Sequence, residues 1–238
     1  MLWTPPGENM KRSNRKCVMW RLPGYFILFA LISWCLSAVS FAQGDVRELE
    51  SRLKSNPDDQ EALMELGRIY HDLAVNGDDN AIEKGFRCFD RLVALDSTNA
   101  VAVVYRGSLW TLRAREAWWP PTKLKYMRQG AKEMDRAVEM APLNIMVRLT
   151  RGINSLSLPS LFGRLETGLE DFIVLLRHPE FPDQTRELKT AIFYYGGVAY
   201  KRADELDKAR ELFLRSIAIL PGSDFARRAQ EELDDMDS

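Results

Sequence analysis

From residue 60 onward, apolar and small residues return at helical rather than strand intervals. The clearest stretch reads FYYGGVAYKRADELDKARELFLRSIAILPGS. Phe193, Gly197 and Tyr200 mark one helix, Ala209 and Phe213 a second, and Pro221 the stop. Gly197 and Ala209 let two antiparallel helices approach closely, while the aromatic residues fill the space between them. Pro221 can neither donate to the helical ladder nor leave its predecessor comfortably helical. Three more degenerate copies precede this one, and their first-helix glycines are Gly67, Gly107 and Gly152. With Gly197 these stand 40, 45 and 45 residues apart. The matching second-helix small residues are Gly85, Gly130, Gly168 and Ala209.

The last copy resembles the tetratricopeptide repeat, W-x2-L-G-x2-Y…A-x3-F…P. Phe193, Gly197, Tyr200, Ala209, Phe213 and Pro221 match it without a gap, and Gly196 stands where leucine is usual. The resemblance implies an all-α solenoid of about four helix pairs, near 60–98, 100–143, 145–184 and 190–223. Flanking segments add a lone helix over 46–57 and a polar capping helix over 224–236, with Ser223 as its N-cap. The expected total is ten helices and no sheet, in a single domain spanning 43–238.

These periods exceed the 34 residues of the family repeat. Between the first-helix glycine and the second-helix small residue lie 12 positions in the last copy (197 to 209). The earlier copies have 18, 23 and 16, so the excess is 6, 11 and 4 residues. All of it falls inside a repeat, where it is expected as enlarged turns aligned on one edge of the stack.

Repeats of this type usually bind peptides or partner domains along a groove lined by their first helices. Carried over by position, the groove would take Met64, Arg68 and His71, then Val101, Val104, Ser108 and Thr111. Met146, Leu149, Ile153 and Leu156 would follow, and then Tyr194, Val198 and Lys201. The Lys/Asn pattern that clamps a C-terminal carboxylate is missing. The middle of this groove is uncharged, so either an apolar partner segment or the protein's own insertions should cover it.

The longest insertion contains EAWWPPTKLKYMRQG, residues 116–130. Pro120 and Pro121 should interrupt the helix, leaving Trp118 and Trp119 in extended or turn geometry and restarting the helix near Tyr126. Trp118, Trp119 and Tyr126, with Phe162 on the neighbouring turn, either seal this edge against adjacent repeats or recognise a partner. Lys123, Lys125 and Arg128 make the stretch locally basic.

The N-terminus changes the expected location. Lys11, Arg12, Arg15, Lys16 and Arg21 precede an uncharged run from Tyr25 to Ala42 that ends in small residues. This is the pattern of a secretory signal cleaved before Gln43, with an uncleaved membrane anchor as the alternative. The protein is therefore expected to be exported, periplasmic or extracellular, or else membrane-anchored. Setting aside those five cations and Glu8, residues 43–238 hold 28 basic and 33 acidic side chains. That balance argues against nucleic-acid binding. Cys17 and Cys35 lie in the leader, so the mature chain keeps only Cys88, expected as a buried helical thiol.

Catalytic and cofactor signatures are missing. No phosphate-binding loop, zinc-protease motif, nucleophile elbow or paired-cysteine motif occurs. His71 and His178 are far apart; His71 is expected at the groove edge on the surface. No cofactor or metal is expected. The sequence points to a non-catalytic adaptor of the cell envelope that binds another protein or peptide. The alternative is a carrier of an apolar ligand or lipid in a groove roofed by the insertions.

Overall fold

Asp59, Asn99, Asn144, Thr185 and Ser223 each stand just before a helix. Each side chain accepts a hydrogen bond from the backbone N–H three residues on. Such caps contribute about 1 kcal/mol apiece, and here they start the first helix of every pair and the terminal helix. A computed structural model of the chain describes residues 46–237. The expected leader, including Tyr25–Ala42, lies outside the described residues.

Ten α-helices and no strand occur among the described residues. Helix α1 covers 46–55. The pairs are α2 (Gln60–Val75) with α3 (Asp79–Leu95), and α4 (Ala100–Glu116) with α5 (Pro120–Met140). They continue as α6 (Ile145–Ser157) with α7 (Leu165–Leu176), and α8 (Arg186–Arg202) with α9 (Leu206–Ile219). Helix α10 (Asp224–Met236) packs on α8 and α9. Each pair packs most heavily within itself, while α4 also touches α2 and α6, and α6 touches α8. The first helices thus form one layer and their partners a second, which is the all-α solenoid that the repeat pattern implies.

A glycine-to-bulk contact locks each pair. A Cβ on Gly197 would come within 2.6 Å of the Phe213 ring, and one on Gly67 within 2.8 Å of Phe89. Gly152 sits likewise against Phe172, and in the second pair Met134 fills the role against Gly107. All four bulky partners are fully buried. Polar locks hold the third pair together and tie it to the second. Wholly buried Asp171 on α7 accepts from Arg148 at 2.8 Å and, through both oxygens, from Arg151 at 2.8 Å. Asp135 on α5 accepts from Arg164 and Arg151.

Two of the three insertions are not loops. Only 76–78 separate α2 from α3, and only 117–119 separate α4 from α5. The added residues instead prolong the facing helices. Beyond Gly107, α4 runs to Glu116, and α5 begins ten residues before Gly130. Pro120 and Pro121 occupy the first positions of α5, where the missing N–H groups would have no helical partner anyway. They start the helix there, ahead of the expected restart near Tyr126. Only the third insertion is a true connection, 158–164, built on a 3-10 turn at Ser160–Phe162. The first helix of the fourth pair begins at Arg186, four residues before the expected start.

Candidate functional site: a concave groove

The first helices bring their inward faces together around a cavity of about 620 Å³. Helix α2 contributes His71, Asp72 and Val75; α4 contributes Tyr105, Ser108, Thr111, Leu112 and Arg115. Met146, Leu149, Thr150, Ile153, Asn154 and Ser157 come from α6, and Tyr195 from α8. The prolonged start of α5 adds Lys123 and Met127 as a wall at one end. The insertion therefore borders the groove with a helix rather than roofing it with a loop.

A hydrogen-bonded chain crosses the floor. His71 Nε2 lies 2.8 Å from Ser108 Oγ, which also accepts from Asn154 Nδ2 at 3.1 Å. Thr111 Oγ1 donates to Asn154 Oδ1 at 2.6 Å, and Asn154 Nδ2 donates to the Thr150 carbonyl at 2.9 Å. Three helices from three different repeats are thereby tied together. The His71 ring also meets the Tyr105 ring edge-on at 5.0 Å. Burial pushes the Tyr105 and Tyr195 hydroxyls above the ordinary tyrosine range. Both stay neutral and able to donate throughout the physiological range.

Ser108, His71 and Asp72 share the connectivity of a serine nucleophile relay, with His71 Nδ1 3.4 Å from Asp72 Oδ1. The resemblance ends there. Ser108 is in the middle of α4 and only 2% exposed, so neighbouring backbone N–H groups are committed to the helix and cannot receive an oxyanion. Asp72 is largely exposed and does not hold the ring as a buried carboxylate would. Among the described residues, no cluster of three or more His, Cys, Asp or Glu is gathered for a metal.

The sequence-derived candidates divide among several places. Leu149 and Ile153 line the cavity, as do His71, Ser108, Thr111 and Met146. His71 is 8% exposed, so it is a floor residue and not the expected surface histidine. Val104 is wholly buried in the core and cannot face a partner. Leu156 is buried too. Met64 packs half-buried against the core of the first two helix pairs, and exposed Arg68 reaches the Tyr105 hydroxyl. Tyr194 and Val198 lie outside the cavity because α10 covers that end. The Phe225 ring lies 5.6 Å from both Tyr194 (tilted) and Tyr195 (edge-on), and Lys201 pairs with Glu232 and Asp235. Asn154, the hub of the floor, is missing from the sequence-derived set. An asparagine inside a polar-looking helix turn carries no distinguishing signal.

The edge aromatics also divide. Tyr126 is half-buried, its ring 5.3 Å from Trp110 and under the Arg113 guanidinium. Trp118 is 88% exposed and Trp119 52%, so this pair does not seal the edge and does not plug the groove. Phe162 rests in a cleft on the outer side of α5, away from the groove residues.

No protein-family model and no curated protein sequence matches the chain. Solved structures do. A thermophilic tetratricopeptide-repeat protein of Thermus thermophilus, TTC0263, superposes with a TM-score of 0.64 at 20% identity. The match covers 85% of this chain and 95% of that one. MamA matches at 0.46 and 18% identity over 77% of this chain and 91% of that one. YrrB, a TPR protein with an unusual peptide-binding site, matches at 0.37 and 18% over 77% and 97%. The chain therefore has a tetratricopeptide-repeat-like fold: layered helix pairs with a concave inner face.

Proposed function

We propose that the protein is a non-catalytic interaction scaffold that holds a segment of another protein in the groove between α2, α4, α6 and α8. The carrying observation is the character of that groove. A polar ladder of His71, Ser108, Thr111 and Asn154 runs along the floor, flanked by apolar Leu112, Met146, Leu149 and Ile153. A peptide needs both: partners for its backbone amides, which half-buried Thr111 and Asn154 present, and apolar contacts for alternate side chains. Arg115 and Lys123 at the rim favour a segment with acidic character at one end.

The basic N-terminal cluster and the uncharged Tyr25–Ala42 run support export, with this scaffold working in the cell envelope, either free after cleavage or held at a membrane. A second reading, an apolar-ligand carrier, draws support from the cavity's volume, which falls within the range of small-ligand sites.

The two readings separate in one experiment. Peptides selected on the full chain from a random display library should bind the wild type and lose binding with Ile153→Arg. The same protein, analysed by native mass spectrometry after extraction, should carry no lipid. Recovery of a stoichiometric lipid, with no peptide enriched, would replace the scaffold by the carrier.

A further inference from the structure

Outside the groove, α5 presents a second surface. Lys125, Arg128, Lys132 and Arg136 are spaced 3, 4 and 4 residues apart, which puts them on one face of the helix. All four are exposed, and among the described residues none forms an ion pair or hydrogen bond. They span about 16 Å of helix, closed at the C-terminal end by Glu139. The other acids of α5 are already engaged inward, Glu133 with Arg106 and Asp135 with Arg151 and Arg164. Over 43–238 acids outnumber bases by five (33 against 28), so four cations in one row stand out against the rest of the molecule. At the head of the same helix stand exposed Trp118 and Trp119, and beside its outer face lies the turn that carries Phe162 and the 77% exposed Leu161.

We infer that this outer face of α5 rests on an anionic membrane surface. The cations match the charge of acidic headgroups. Being long, flexible and unpaired, they suit a fluid array of phosphates better than the fixed carboxylates of a folded partner. Tryptophan is the side chain that settles at the boundary between headgroups and acyl chains, apolar in its body and polar at its N–H. An exposed pair of tryptophans on a soluble surface is costly unless something covers it. The Tyr25–Ala42 run ends only four residues before Val46. An uncleaved run would tether the chain to a bilayer and raise the effective concentration of membrane surface seen by the α5 face. This surface is separate from the groove, so its assignment stands whether or not the groove binds a peptide.

The test takes the full chain with vesicles of phosphatidylcholine alone or mixed with phosphatidylglycerol. Acylation of each lysine by an amine-reactive reagent is followed by mass spectrometry. Lys125 and Lys132 should label several-fold more slowly on the anionic vesicles only, with the difference erased by high salt. Lys54 and Lys189, on other elements, should label equally on both. In equilibrium flotation, the anionic preference should fall by roughly 600-fold or more in the Lys125→Glu, Arg128→Glu, Lys132→Glu, Arg136→Glu variant, at about fivefold per cation. Unchanged melting would show that this variant still folds. Trp118→Ala with Trp119→Ala should weaken binding to both vesicle types. Equal labelling on the two vesicle types would overturn the inference. So would protection by polyglutamate but not by anionic vesicles, which would assign the face to an acidic protein segment.

Discussion

Ser108 Oγ on α4 stands 2.8 Å from His71 Nε2 on α2 and 3.1 Å from Asn154 Nδ2 on α6. One hydroxyl thus joins three repeats at the floor of the groove. The groove is not simply the gap left by stacked helices, because polar side chains fix the spacing of its walls.

Removing the hub should loosen that spacing. Asn154→Ala deprives Thr111 and Ser108 of a partner in a half-buried setting, at a cost of about 1 kcal/mol. For a unit of this size, calorimetry should show the melting temperature falling by roughly 2–4 °C. Peptide affinity should fall as well, since the ladder is broken in the middle. Lost affinity with no change in melting would mean that Asn154 serves the ligand alone.

A methyl at Gly197 should be worse. Its Cβ would lie 2.6 Å from the Phe213 ring, and forced repacking in a filled core costs about 1–3 kcal/mol. Phe213→Leu in the Gly197→Ala background should recover part of the loss, giving a double-mutant coupling that two independent destabilisations would not.

The pairing of Asp171 with Arg148 and Arg151 should be the most sensitive polar position. Asp171→Asn leaves two arginine side chains, each only 9% exposed, without their shared carboxylate. Breaking such a pair costs about 3–5 kcal/mol. Urea unfolding should show the midpoint falling at constant slope. A shift near zero would mean that Glu170 and Asp135 take over both cations.

Cys88 provides a pH-dependent test. Burial pushes its thiol from 9.0 up to about 11. The folded state therefore holds the proton more tightly than the unfolded chain. The stability linked to it is complete below pH 9 and is lost as pH rises toward 11, on the order of 3 kcal/mol in total. Cys88→Ala should remove that part of the alkaline decline. In the native wild type, maleimide labelling at neutral pH should proceed only as fast as the helix pair opens.

How much of this is legible in the sequence depends on the type of signal. Gly197, Phe213 and Pro221 have spacings that only a tight helix pair uses, so the solenoid and its glycine locks can be read directly. The same spacing places the extra residues of the second repeat between Gly107 and Gly130, but does not say whether they form loop or helix. Pro120-Pro121 reads as a breaker in the middle of a helix and as a favourable start at its first turn, and the difference lies in where the helix begins. Tyr194 and Val198 qualify for the groove by repeat position. That reckoning leaves out the capping helix, whose Phe225 covers this end. Packing is the ordinary expectation for Trp118 and Trp119, because large apolar residues are usually buried. Their exposure follows from the placement of the 117–119 turn at the tip of a prolonged hairpin, beyond the reach of the neighbouring repeats.

On the proposed function, a partner segment lies in the groove along the His71–Ser108–Asn154 floor. Methyl-selective NMR of the full chain titrated with a selected peptide tests it most directly. Shift changes are expected at Met146, Leu149, Ile153 and Met127, with exposed Leu206 and Leu214 on the outer helix α9 unmoved. Shifts confined to the outer helices, with Ile153 unchanged at saturation, would contradict it.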